Sequence, residues 1–429
     1  MAQHKTGSFL LALFALPALL ILSPAAGAPC EAAPARALIS GRFSLPPRRL
    51  QLRPSPLPSP AVRLRARQWP AFFPAAGRLP RPREVRGIYV TGWVAGSPER
   101  LRSLVELVER TELNTMVIDV KDDQGTLTYR SSVPLARELG QSRFKVQNIQ
   151  ELLSLLYTHR IYPIARLVVF KDNVLPRRHP ELAVQDEQGR VWRDKKGLTW
   201  ADPYNRRVWE YNVALAKEAA ALGFREIQFD YVRFPDVPRT TTLIFPAQDG
   251  RSKVEVIRDF LRYARRELRP YGVKVTADVF GLVTTAQDDL GIGQHLEELA
   301  EVVDYLHPMV YPSHYARGEY GLADPDAVPY TTVKLSLSDA LRRLSGRPGS
   351  ARIIPWLQDF SLYHVYGPAE VRAQIKAAQE LGLHEWLLWN PRNEYTVTAL
   401  QPRRANPPAA LRLAAQPPSG RAPYAPPHR

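Results

Sequence analysis

Aspartates at the ends of apolar runs are the first residues in this chain that could do chemistry. Asp230 stands in Phe229-Asp230-Tyr231-Val232-Arg233-Phe234-Pro235, Asp278 in Thr276-Ala277-Asp278-Val279-Phe280-Gly281, and Asp119 in Val117-Ile118-Asp119-Val120-Lys121, with Asp122 and Asp123 directly after it. Two carboxyl groups facing one cleft are what hydrolysis of a glycosidic bond requires. One protonates the leaving oxygen while the other attacks the sugar carbon or activates water. Like charges held close together also raise the proton affinity of one partner, so such a pair divides into acid and base without further machinery. A single strand-end aspartate serves as readily as a helix cap or salt-bridge partner; the joint pattern is what points to a site.

Sugar sites also need flat apolar platforms and polar groups for hydroxyls. The same apolar runs supply Tyr231 and Arg233, His307 and Tyr311, Gln358, and Trp389 with Asn390; Asp122 completes the candidate substrate-binding set. Trp93, Trp356 and Trp386 read at least as well as core. A metal-assisted hydrolase or deacetylase would have Asp119, Asp122, Asp123, His307 and His314 to draw on. No His-x-x-x-His or similar close spacing accompanies them, so no metal and no cofactor is expected.

These residues have to be positioned by something, and the chain from Arg86 onward alternates short β-branched runs with longer amphipathic stretches. Strands are expected at Gly87–Trp93, Thr115–Lys121, Tyr162–Phe170, Glu226–Phe234, Lys274–Gly281, Tyr305–Tyr311, Arg352–Gln358 and Glu385–Asn390. Helices are expected between them at Pro98–Thr111, Val146–His159, Arg206–Leu222, Lys253–Leu268, Gln294–Glu301, Leu337–Leu344 and Pro368–Leu381. Eight strands with seven intervening helices predict an α/β fold of the (β/α)8 TIM-barrel type over residues 86–400. An open, doubly wound sheet is the rival, but the turn after the first strand, Thr91-Gly92-Trp93-Val94-Ala95-Gly96-Ser97, lacks the glycine spacing of a phosphate-binding loop. Alternation along the strands puts Gln228, Asp230 and Val232 on one face, Thr276, Asp278 and Phe280 on another, and Val117, Asp119 and Lys121 on a third. Two connections are long, Lys171–Asp202 and Asp236–Arg251, and both would rise from the C-terminal face where barrel active sites sit.

Outside the barrel the composition changes. His4 and Lys5, an apolar run from Phe9 to Leu22 and small residues ending in Ala25-Ala26-Gly27-Ala28 are the layout of a cleavable secretory signal over residues 1–28. A retained anchor is the rival, disfavoured by Pro17 and the shortness of the run. The lone cysteine, Cys30, allows no disulfide within the chain, and Pro29 before it is a poor lead-in for lipid attachment. The net charge is +16, but residues 31–85 carry eleven Arg against two acids, and residues 401–429 five Arg and no acid. Residues 86–400 are therefore near neutral, which argues against a nucleic-acid partner. The Pro/Arg-rich stretches 29–85 and 401–429 read as disordered linker and tail, with loose association to an anionic envelope as a second use.

Taken together, Arg86-Gly87-Ile88-Tyr89-Val90-Thr91, Asn114-Thr115-Met116-Val117-Ile118-Asp119-Val120-Lys121-Asp122, the strand-four motif around Asp230 and Met309-Val310-Tyr311-Pro312-Ser313-His314-Tyr315 resemble a bacterial family of glycoside-hydrolase-type domains first catalogued as a domain of unknown function. The likeness spans about residues 84–395. It implies a (β/α)8 glycosidase barrel acting on a polysaccharide or oligosaccharide, and it supports the Asp230 position; Asp278 as its partner rests on the strand argument alone. The expected function is thus an exported glycosidase of an envelope or extracellular polysaccharide. A barrel that binds carbohydrate without turnover is the alternative, since a fold never proves an activity.

Overall fold

The computed structural model describes residues 79–141 and 144–403. The signal, Cys30, most of the linker and the tail beyond residue 403 lie outside the described residues. Nine parallel strands form one closed sheet: β1 Arg86–Val90, β2 Thr115–Lys121, β3 Tyr162–Val168, β4 Glu226–Asp230, β5 Lys274–Phe280, β6 Tyr305–Met309, β7 Arg352–Ile353, β8 Trp356–Gln358 and β9 Trp386–Trp389. Each pairs with its neighbour, and β9 closes on β1 through Gly87 opposite Leu387. β7 and β8 are the two halves of one barrel position. Pro355 between them has no N–H to donate, yet Ile354 N still reaches Leu306 O at 2.9 Å and Leu387 N reaches Pro355 O at 2.9 Å. The architecture is the (β/α)8 barrel, with eight strand positions and an α-helical crossover between each consecutive pair.

The crossover helices are α1 Pro98–Arg110, α2 Ile149–Thr158, α3 Arg206–Leu222, α4 Lys253–Leu268, α5 Leu296–Ala300, α6 Pro329–Leu344 and α7 Pro368–Glu380. Their sequences explain their ends. In α1, Leu101, Leu104, Val105 and Val108 are buried at helical spacing, the stripe that packs a helix on a sheet. A Ser252/Glu255 capping box starts α4, and Gly223, at φ 127°, stops α3. Helix α6 begins eight residues before the expected Leu337. Pro329 sits in its first turn, and the β-branched Thr331, Thr332 and Val333 behind it mask the helical pattern.

Met116, Ile118 and Val120 of β2 enter the apolar layer between sheet and helices, so Val117 and Asp119 face the barrel axis. Lys121 departs from the expected alternation. The β2–β3 register shifts between Asp119 and Lys121, an irregularity that re-aims the next side chain. Lys121 therefore points outward, where it meets Asn212 Oδ1 of α3 at 3.0 Å and Asp172 Oδ2 at 2.7 Å.

Residues just before β1 close the other end of the barrel. Arg81 reaches Glu385 Oε1 at 2.7 Å and lies 4.2 Å above the Tyr305 ring, while Val85 N donates to the same Glu385 oxygen at 3.0 Å.

The two long connections fold against each other. The first carries antiparallel bridges of its own, Gln185 to Val191 and Arg193 to Thr199, and Gln185 also pairs with Ile244 of the second. Buried Asp202 ties them further, accepting from Tyr204 N and Ala247 N at 2.9 Å each. Burial outweighs these bonds and pushes the Asp202 carboxyl up to about 6. The folded state thus holds this proton more tightly than the unfolded chain does, so its contribution to stability is full below about pH 4 and is lost as pH rises through about 6. Asp202→Asn, which cannot ionise, should gain in melting temperature relative to wild type between pH 4 and 7. A difference that stays flat across that range would show that this carboxyl does not titrate with folding.

Candidate functional site

The C-terminal ends of β1 to β5 carry a buried ionic network. Asp230 is the last residue of β4 and only 4 % exposed; Asp278, on β5, is 2 % exposed. Between Asp119 and Asp230 stands Arg166, from the middle of β3. Its Nη1 donates to Asp119 Oδ1 at 2.6 Å, its Nε to Asp230 Oδ2 at 2.9 Å, and its Nη2 to the same Asp230 oxygen. The other Asp230 oxygen accepts from Tyr231 N at 2.6 Å. That bond depends on a strained turn, because Tyr231 has φ 47°, a conformation that costs a bulky residue about 1–3 kcal/mol and clusters at functional sites. The remaining Asp119 oxygen accepts from Tyr89 Oη at 2.6 Å. Tyr89→Phe would leave that oxygen buried without its partner, a loss of about 1–3 kcal/mol readable as a lowered denaturant midpoint with native secondary structure.

Asp278 is held differently. Trp356 Nε1 donates to its Oδ1 at 2.8 Å. Burial first, and then the negative charge of Asp230, raise its carboxyl well above the usual carboxylate range, against the opposing pull of Arg166 and the tryptophan bond. Burial also raises Asp119, opposed by Arg166 and Tyr89.

Aromatic rings back this network. Trp389 stacks on Tyr89 with centroids 3.9 Å apart and planes 13° from parallel, and Trp356 meets Trp389 edge-on at 5.4 Å. The Arg166 guanidinium lies 5.1 Å from the Trp389 centroid and 5.4 Å from that of Tyr89. The rings therefore fix the arginine that fixes the two aspartates. Tyr311 is buried too, and its hydroxyl has no hydrogen-bond partner among the described residues. Burial and then the charges of Asp278 and Asp230 hold its phenol in the protonated form, so a donor stands beside the acids. Trp93, on the rim after β1, is 71 % exposed, with Lys145 Nζ 5.4 Å from its ring centroid.

Asp119, Asp230, Asp278, Tyr231, Arg233, Tyr311 and Trp389 are thus brought around one barrel mouth. Other sequence candidates are occupied elsewhere. His307 lies inside the barrel, its Nδ1 3.0 Å from Ile354 O and its Nε2 3.5 Å from Glu226 Oε1. Gln358 Oε1 accepts from Ser313 N and Oγ while its Nε2 donates to Phe360 O. Asn390 ties Asp359 O and Glu394 O together. Asp122 accepts from Gln124 N, Thr126 N and Lys145. These last three stitch loops. Arg166 and Tyr89 were missed from the sequence. The signal for Arg166 was an arginine alone in the apolar run Tyr162-Pro163-Ile164-Ala165-Arg166-Leu167-Val168, where an inward guanidinium demands carboxylates beside it. Among the described residues, no three His, Cys, Asp or Glu side chains converge as a metal site.

Residues 87–395 match a family described as "Putative glycosyl hydrolase domain". The chain belongs to this family. A comparison with proteins of curated function gave no match. Among solved structures, a hypothetical protein from Ruminiclostridium thermocellum ATCC 27405 is 43 % identical over 48 % of this chain and 98 % of its own, with a TM-score of 0.41. The glycoside hydrolase domain of PgaB (BpsB) from Bordetella bronchiseptica is 15 % identical over 75 % of this chain and 99 % of its own, with a TM-score of 0.54; at that identity it shares the fold alone. As a member of the glycosyl hydrolase domain family, the protein is a glycosidase-type enzyme with a carbohydrate substrate.

Proposed function

We propose that the protein is an exported glycosidase that hydrolyses a glycosidic bond of an envelope or extracellular polysaccharide, with Asp278 as the proton donor and Asp230 as the base or nucleophile. The observation that carries this reading is the unequal treatment of two neighbouring carboxyl groups. Asp230 is anchored through one oxygen to Arg166, whereas Asp278 has no ion pair among the described residues. Asp278 is held in the protonated form first by burial, with the charge of Asp230 adding to the effect. A carboxyl kept protonated by its surroundings, beside an ion-paired partner, is the arrangement that the acid of a glycosidase needs. Asp119 completes the charge balance around Arg166 and keeps the guanidinium in line. Trp93 and the half-buried Trp389 supply flat apolar surfaces for sugar rings, and the Tyr311 hydroxyl supplies a donor. Export rests on the signal-like residues 1–28, and the Arg-rich stretches flanking the barrel suit loose adhesion to an anionic envelope.

A digestion of a glycan panel, read as new reducing ends, tests the catalytic part. Wild type should release product from at least one polysaccharide and Asp230→Ala from none. Release by both would remove Asp230 from the mechanism. Detection of residues 29 onward outside the cytoplasm, starting near Pro29, tests export.

A further inference from the structure

Next to Asp230 lies an arginine that the network above does not use. Arg233 is 8 % exposed, and among the described residues no carboxylate lies within ion-pairing distance of it. Its Nη1 donates to Phe234 O at 2.9 Å. Three rings surround its guanidinium carbon: Phe280 at 4.5 Å, Trp200 at 5.0 Å and Tyr231 at 5.1 Å. A buried cation held on aromatic faces and lacking a counter-ion is costly unless a ligand supplies one.

A second cation faces the same ring. Lys171 Nζ is 4.8 Å from the Tyr231 centroid and reaches Asp123 only at 3.4 Å. Asp194 and Asp236 act on Arg233 only from beyond ion-pairing distance, and four other carboxylates of the mouth are committed. Asp119 and Asp230 share Arg166, Asp122 takes Lys145 and Asp172 takes Lys121. Arg233 is left as a preformed fork of N–H donors, the geometry that recognises a planar or tetrahedral anion.

We infer that the sugar unit seated beside Asp230 bears an anionic substituent, a carboxylate, sulfate or phosphate, received by Arg233 with Lys171 beside the Tyr231 ring. This inference rests on the proposed glycosidase reading, and it narrows the substrate to an acidic polysaccharide.

The test uses the full chain and short oligosaccharides in matched pairs that differ only in charge. The pairs are oligogalacturonate and its methyl ester, sulfated dextran oligomers and dextran, and phosphomannan oligomers and their dephosphorylated form. Binding is measured by calorimetry at 0.15 M salt for wild type, Arg233→Gln, Arg233→Lys and Lys171→Gln. The basic tails are common to all four proteins, so differences between them read the site. In at least one pair, wild type should prefer the charged member, and Arg233→Gln should weaken that member about tenfold or more while Arg233→Lys retains part of the preference. The pair that responds identifies the anion. Equal binding within every pair, binding of neither member, or a preference that survives Arg233→Gln overturns the inference. Should Arg233→Gln melt early, Lys171→Gln decides by the same criterion. Cleavage is scored separately: neutral glycans cleaved without charge preference would sink the anion site and leave the glycosidase standing. Arg233-dependent anion binding with no cleavage of any glycan would do the reverse.

Discussion

Asp278→Asn is expected to slow hydrolysis of glycosides with alkyl or sugar leaving groups by about 10²–10⁴-fold, the usual worth of a positioned general acid. The same variant should keep most of its rate on aryl glycosides whose leaving groups need no proton, while Asp230→Asn should lose both. The wild-type pH profile carries a matching signature. Asp278 acts as a donor only while protonated, and its surroundings raise its carboxyl well above the usual range. Activity should therefore persist through mildly acidic pH and fall as pH rises through the pKa of this group. On activated aryl substrates that alkaline limb should be absent from Asp278→Asn. Equal losses on both substrate classes would remove Asp278 as the acid.

Arg166→Met should cost stability more than any other single change at the site. It would leave Asp119 and Asp230 buried without the cation both now share. Breaking one side of a buried pair costs about 3–5 kcal/mol, read as a large drop in denaturant midpoint. The deficit should shrink as pH falls, because protonation discharges the stranded carboxylates; it should grow again as pH rises. Adding Asp119→Asn and Asp230→Asn to Arg166→Met should restore part of the loss at neutral pH. A midpoint shift below about 0.5 kcal/mol, the range of ordinary surface changes, would show that Arg166 is not the counter-ion of this network.

The strands were legible because parallel strands covered on both faces are continuous apolar runs; β2 and β5 begin where the sequence reading puts them. Strand ends were less so. The expected fourth strand ran to Phe234, but the chain leaves the sheet at Tyr231. Val232 and Phe234 are buried all the same, Phe234 against the rings of Tyr204 and Phe245 at 5.3 and 5.2 Å. Apolar composition marks burial, not extension. The period of two brought Asp119, Asp230 and Asp278 to one mouth and failed at Lys121, where the register shifts. It could not rank polar residues at strand ends. Gln358 and Asn390 have the chemistry of sugar ligands, and their amides are spent instead on backbone groups that would otherwise be buried unpaired. Arg166 was passed over because, although a lone inward arginine calls for carboxylates, which ones answer it depends on the register of the neighbouring strands.

The plug formed by Arg81 bears on how the unit that is inherited relates to the unit that folds. The family likeness starts at residue 87, yet a fragment cut there would lack the guanidinium that caps Tyr305 and Glu385, and the Val85 amide beside it. Glu226 inside the barrel would also lose the charge of Arg81, with which it interacts. Recurrence among relatives marks what evolution copied as a block; autonomy in solution is set by which buried charges a given cut leaves unanswered.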